Sequence, residues 1–347
     1  MEWYQKAAEQ GHTKAMCQLG LIYRDGDDCI AIDSAKAVQY FEAAAVKGSD
    51  HAKTYLGECY RDGDGVPVDI EKAFHLFNQA AQSGFAPAKR HVAECYWRGE
   101  GIQKNEQQAA YWSEKAAEQG DTPAKFLIGS AYYYGQGVKQ NYGKAVKWLK
   151  EAADDNDADA QYLLGCCYKN GYGVEENLNT AFKWYQLSAD NENDDAQNSL
   201  GICYENGHGT TKNLKKAIEW YEKSAAQDNK YAHYNIARTI STNHMIAKSV
   251  ATGLGKGLAV GAANTMATAA AAAINPILGV GVMVGGWKAQ SKVQSTSIDK
   301  SYAKRMKQFL QTPDGKKMLA HYKTAADLGH EGAKKQYDSL MGYLKEK

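Results

Sequence analysis

Small, apolar and aromatic residues recur along this chain in two alternating patterns. In the first, Ala, Leu and Tyr stand at i, i+4 and i+8, as in Ala52, Leu56, Tyr60 and in Ala160, Leu164, Tyr168. At about 100° per residue these share one helical face. The second pattern is Lys-Ala-x-x-Trp-x-x-x-Ala-Ala, as in Lys144, Ala145, Trp148, Ala152 and Ala153. Its alanines let neighbouring helices approach, and its aromatic fills the gap between units. A Gly-x-Gly step such as Gly63/Gly65 or Gly135/Gly137 separates the two, because a helix stop with positive φ is best met by glycine. The patterns predict a pair of antiparallel helices. No such pair can bury its apolar face alone, so several must stack.

The pair returns with a period of 36, and Trp112, Trp148, Trp184 and Trp220 keep that step without drift; a fixed step of this size marks a repeat array. One unit, "AKTYLGECYRDGDGVPVDIEKAFHLFNQAAQSG" from Ala52, has counterparts from Ala15, Ala88, Ala124, Ala160 and Ala196. The unit from Ala15 carries one extra loop residue between Gly26 and Asp33. A half unit, "WYQKAAEQG" from Trp3 to Gly11, matches only the second helix; it marks an excerpt of a longer protein or an exposed cap. These residues resemble the Sel-one-like repeat, a relative of the tetratricopeptide repeat, over residues 15–228. The resemblance implies an all-α fold, a right-handed superhelical α/α solenoid that binds other proteins on its concave face as an adaptor or scaffold. It also implies roles such as membrane-complex assembly, bacterial host interaction and immunity to secreted toxins. It carries over no catalytic residues and no cofactor.

A seventh unit opens at "AHYNIARTI", Ala232 to Ile240, but its second helix returns only at "KMLAHYKTAADLGHEGA", Lys317 to Ala333. The expected organisation is an array over 1–242, an insertion over 243–316, and a second helix with a capping helix over 317–347. Loops of that length inside compact structure are seldom passive. Within the insertion, Gly257 to Trp287 runs 31 residues without an ionisable side chain. A single membrane pass does not suit it, since packing of the two halves of the seventh unit puts both ends on one side of a bilayer. The arm after Pro276 makes about 16 Å of helix before Lys288, against a hydrocarbon core of about 30 Å. Small residues recur at steps of four (Gly257/Gly261, Ala263/Ala267/Ala271, Gly281/Gly285) and give edges that permit close helix contact in lipid or in protein. The stretch is similar to glycine-zipper hairpins bent at Asn275-Pro276. Its expected contact residues are Gly257, Gly261, Ala267, Ala271, Pro276, Leu278, Gly281, Gly285 and Trp287. Lipid contact, packing on this chain or on another copy in a homo-oligomer, and disorder are all open. The basic flank Lys288, Lys292, Lys300, Lys304, Arg305 and Lys307 favours an anionic membrane.

Charge sharpens that contrast. Residues 1–243 hold 26 Lys+Arg against 34 Asp+Glu, a net of −8, and residues 244–347 hold 15 against 6, a net of +9. A basic end points to an anionic surface. No basic stripe with interleaved aromatics recurs along the repeats, so nucleic acid is not an expected partner. The opening "MEWYQKAAEQG" is charged and amphipathic, without a signal peptide's apolar core. The expected location is the cytoplasm of a bacterium, membrane-associated through the insertion, unless a signal lies upstream.

Candidate chemistry is sparse. Cys59, Cys95, Cys167 and Cys203 share one core-facing position and read as small fillers in a reducing compartment. The nine histidines show no HExxH motif, and His51, His75, His91 and His208 fall at different repeat positions, which reads as surface or partly packed histidine without a metal. "GLGKG" (Gly253 to Gly257) lacks the earlier glycine and the following Ser/Thr of a phosphate loop. No enzyme activity is expected. The third and seventh residues of each unit, with the opening alanine as the first, point roughly away from the core stripe. They are Cys17/Leu21, Thr54/Glu58, Arg90/Glu94, Phe126/Ser130, Tyr162/Cys166 and Asn198/Ile202. A purely solvated face should not hold Leu21, Phe126, Tyr162 and Ile202. With Glu58, Arg90 and Glu94 they form the expected strip for a protein or peptide in the concave groove; packing on the neighbouring repeat is the alternative. The expected function is a binding scaffold anchored through 257–287. The alternative is a membrane-active or toxin/immunity-type protein whose hairpin is the effector.

Overall fold

The computed structural model describes residues 2–26, 30–251 (backbone alone for 243–251) and 305–345. The chain forms two units, 1–188 and 189–347, and both are α/α solenoid. In the first, α1 (Glu2–Glu9) leads into the pairs α2/α3 (Thr13–Asp25, Ser34–Val46), α4/α5 (Asp50–Asp62, Ile70–Gln82) and α6/α7 (Ala86–Arg98, Glu106–Ala117). These are followed by α8/α9 (Thr122–Tyr134, Tyr142–Asp154) and α10/α11 (Ala158–Asn170, Leu178–Asp190). The second unit holds α12/α13 (Asp194–Asn206, Leu214–Ala225), α14/α15 (Lys230–Ala251, Pro313–Asp327) and α16 (Glu331–Lys345).

Local chemistry fixes where each helix starts. Asp33, Asp69, Asn105 and Asn141 stand immediately before α3, α5, α7 and α9, and each side chain accepts a hydrogen bond from the amide three residues on. Asn177 and Asn213 do the same for Thr180 and Lys216. Each cap satisfies an otherwise orphaned amide and is worth about 1 kcal/mol. From Asp33 to Asn213 this acid-or-amide step keeps the same period of 36 as the tryptophans. At the other end Gly135 closes α8 at φ 75°, its amide donating to the Ala131 carbonyl.

Within a pair, a glycine on the first helix receives the large side chain of the second. A Cβ at Gly57 would meet the Phe77 ring, at Gly129 the Leu149 side chain, and at Gly165 the Tyr185 ring. Those three receiving side chains are almost completely buried. The α6/α7 pair inverts the sizes, with Ala93 on the first helix and a buried Ser113 on the second. We expect Ser113→Phe alone to lower stability by roughly 1–2 kcal/mol through overpacking, and Ala93→Gly in the same chain to restore part of it, as read by urea unfolding.

Cys59, Cys95, Cys167 and Cys203 are buried in the helix-pair cores. Burial pushes the Cys59 thiol up to about 11 and those of Cys95 and Cys167 to about 12, so they pack as neutral thiols. Lys36, Lys72, Lys144 and Lys216 lie over the rings of Tyr23, Tyr60, Tyr132 and Tyr204 at 3.9–5.3 Å, pinning the start of a second helix onto the first.

The second unit closes on itself across a long stretch of sequence. Tyr234 of α14 meets Tyr322 of α15 edge to face, with centroids 5.9 Å apart. Phe309, Leu310 and Met318 are buried in the same core. Thr312 caps α15 by accepting from the Gly315 amide, with Pro313 at the first turn, the position where a missing N–H costs least. No helix among the described residues is long and apolar enough to cross a membrane.

Candidate functional site

The third and seventh positions of the first helices do not behave alike. Cys17, Thr54 and Asn198, all third positions, are buried. The Cys17 thiol lies 3.6 Å from the Ser49 hydroxyl, and the Thr54 hydroxyl donates to the Asp50 carbonyl at 2.8 Å. In the second unit the Asn198 side chain accepts from Asn235 at 2.8 Å. Neighbouring first helices touch along this edge, so a third residue faces its neighbour and not open solvent. At these three positions packing on the neighbouring repeat, the alternative to an open strip, is what the burial favours. Polar or small residues fill the third position at these three repeats, and the larger Arg90, Phe126 and Tyr162 are half-buried there.

The expected strip residues fall into three groups. Leu21 is half-buried against the core of the first three repeats. Phe126 on α8 and Tyr162 on α10 are half-buried at the edge of the next core, and Tyr162 tilts against Tyr185 with centroids 5.9 Å apart. Ile202, in the second unit, packs on the core that holds Tyr221 and Ile236. Glu58, Arg90 and Glu94 are drawn into one charged chain by His91, expected at the surface or partly packed. His91 is only 4% exposed and stacks on Phe77 at 4.6 Å and 18°.

That chain runs from α2 to the start of α8 with alternating sign. Arg24 Nη1 donates to Glu58 Oε2 at 3.1 Å. His91 Nε2 stands 3.1 Å from Glu58 Oε1, off the line a straight hydrogen bond would take. His91 Nδ1 lies 3.3 Å from Glu94 Oε2. Arg90 Nη1 donates to Glu94 Oε1 at 2.9 Å, and Arg90 Nε approaches Asp121, the cap of α8, at 3.3 Å. Arg24 also pairs with Asp25 at 2.8 Å, so the acids Asp25, Glu58, Glu94 and Asp121 outnumber Arg24 and Arg90, and a protonated His91 between Glu58 and Glu94 offsets part of that excess. Burial alone would lower the His91 pKa, but Glu58 and Glu94 outweigh it and raise it. Burial likewise works against ionised Glu94, yet His91 and Arg90 hold its carboxyl down at about 2; Glu58 is lowered against its burial by His91, Arg24 and Arg61. The outcome is a hydrogen-bonded, half-exposed charged floor in the same unit as the aromatic pair Phe126 and Tyr162.

Among the described residues, no group of three or more His, Cys, Asp or Glu could hold a metal ion. The expected contact residues Gly257, Gly261, Ala267, Ala271, Pro276, Leu278, Gly281, Gly285 and Trp287 lie outside the described residues.

Comparison with known proteins follows this geometry. The Sel1 repeat model matches residues 1–12, 13–49, 50–85, 86–121, 122–157, 158–193 and 194–229, each full match being one helix pair. A crystal structure of a protective antigen from uropathogenic Escherichia coli, described as displaying an SLR fold, is 28% identical. It aligns over 99% of this chain and 68% of its own, with a TM-score of 0.64. A Sel1 repeat protein from Oxalobacter formigenes is 31% identical over 61% of this chain and 85% of its own, with a TM-score of 0.56. No curated protein matches the chain. The helix-pair geometry, its 36-residue step and the family model covering residues 1–229 agree, and the chain belongs to the Sel1 repeat family.

Proposed function

We propose that the protein is a scaffold that binds another protein or peptide along the first-helix face of its repeats. Sel1-repeat solenoids are typically protein-interaction scaffolds. The observation that carries the reading here is the pairing of half-exposed Phe126 and Tyr162 with the charged floor of Glu58, His91, Glu94 and Arg90 in one unit. Aromatic anchors beside satisfied polar groups are the composition of binding hot spots. Leu21 in the same unit is proposed as a flanking contact, and Ile202 as a contact on the first-helix face of its own unit. The expected result is that Phe126→Glu with Tyr162→Glu weakens the specific partner at least about tenfold in a quantitative pull-down, with unchanged circular dichroism. Full retention of every specific partner by the folded double variant rejects the reading.

The stretch from Gly257 to Trp287 is proposed to anchor this scaffold to an anionic membrane or to a second copy. The support is its small-residue spacing and its basic flank. Flotation with anionic vesicles, comparing the intact chain with a 252–304 deletion, tests it: anchoring predicts loss of flotation with partner binding kept. Vesicle leakage caused by the intact chain would favour the effector reading instead.

A further inference from the structure

The seventh helix pair is joined by a contact found in neither the repeat pattern nor the binding face. His233 on α14 and His321 on α15 are 88 residues apart in the sequence, and their Nδ1 atoms lie 2.8 Å apart. The ring centroids are 5.1 Å apart, so the two nitrogens lie roughly on the line between the rings. Lone pairs that meet head-on share one hydrogen; they do not converge on a metal. One Nδ1 must donate and the other must accept, which requires at least one neutral imidazole. Two imidazolium rings in this position would have two donors, no acceptor and like charges.

We propose that the His233–His321 contact is an acid-sensitive latch that holds α15 against α14 while one ring is neutral and breaks when both are protonated. The surroundings set its range. Burial lowers the His321 pKa to about 4, with His233 and Lys317 adding to the fall and Glu222 opposing it. Burial also lowers that of His233, against Asp228 and a hydrogen bond to the Ala225 backbone. Glu222 reaches the pair from α13 and is itself ion-paired to Lys317 at 2.8 Å. Asp228 approaches from the turn before α14. From the turn before α16, His330 stacks on Tyr234 at 4.4 Å and is lowered by burial and by Lys230. Because both latch pKa values fall below the ordinary 6.5, the folded state resists protonation. The contribution is present above pH 6.5 and is lost as pH falls from there towards about 4, the folded value of His321. The core of Tyr234, Met318 and Tyr322 is apolar or un-ionised across that range, so the latch's own response falls on α15 and its neighbours.

Hydrogen exchange of the intact chain, corrected for the intrinsic pH dependence of exchange, tests the latch. Between about pH 7 and about pH 4, opening of the α15 amides should rise at least about fivefold more than opening of the α9 amides, which lie outside the His91 network. In His321→Gln, which cannot titrate, that excess should vanish. Equal responses of α15 and α9 in the wild type, or an undiminished excess in the variant, overturn the latch. If the variant leaves α15 unprotected at both pH values, NMR titration of the wild-type imidazoles decides. A His321 midpoint well below 6.5, sensed also at His233, supports the latch, and a midpoint at 6.5 overturns it.

Discussion

Gly137→Ala should be the most damaging single-methyl change in the repeat array. Gly137 holds φ at +68°, and a Cβ there would run into the Glu106 carbonyl at the start of α7. The left-handed backbone and the collision each cost energy, together about 2–5 kcal/mol. Gly120→Ala is the matched control. Its φ is +89° but nothing lies within 4 Å of the added Cβ, so only the backbone cost of about 1–2 kcal/mol applies. Urea unfolding of both variants separates the two effects. Because each repeat contacts chiefly its neighbours, the Gly137 variant should show an early transition located around α7 to α9. Equal losses in the two variants would mean that the second glycine of the Gly-x-Gly step serves only the turn, and not the seam between repeats.

That seam shows how far the sequence could be read. The 36-residue step, the helix pairs and the core position of Cys59, Cys95, Cys167 and Cys203 follow from periodicity, because a stacked array must repeat its buried face. The Gly-x-Gly step was legible as a helix stop. Its second role was not, since the backbone that Gly137 meets belongs to the preceding repeat and lies 31 residues away. The Asp/Asn caps at 33, 69, 105, 141, 177 and 213 carried a signal as regular as the tryptophans. The binding strip was only partly legible. A helical wheel places Cys17, Thr54 and Asn198 away from their own pair's core, but it does not contain the adjacent first helix that buries them. His91 escaped for a similar reason: its partners Glu58 and Phe77 sit in the previous repeat, and a lone histidine in a variable position announces neither.

His91→Leu should therefore destabilise the first unit more than its apolar surroundings suggest. Leucine can keep much of the contact with Phe77, so the loss falls on Glu58 and Glu94, which then face each other's charge without the imidazolium between them. Breaking one partner out of such a network, with the carboxylates still a quarter exposed, costs about 2–4 kcal/mol near pH 6. The pH profile separates this from a packing defect. The His91 pKa is raised in the folded state, so its contribution is full below the ordinary value of 6.5 and is lost as pH rises through the higher folded value. The Glu94 pKa is lowered, so its contribution is full above the ordinary 4.5 and is lost as pH falls towards about 2. The stability gap between wild type and His91→Leu should consequently be widest between pH 4.5 and 6.5 and shrink on both sides. A gap that stays constant from acid to alkaline pH would assign the whole effect to packing against Phe77. It would also remove the charged floor from the proposed binding face as a preorganised element, leaving Phe126 and Tyr162 to carry recognition.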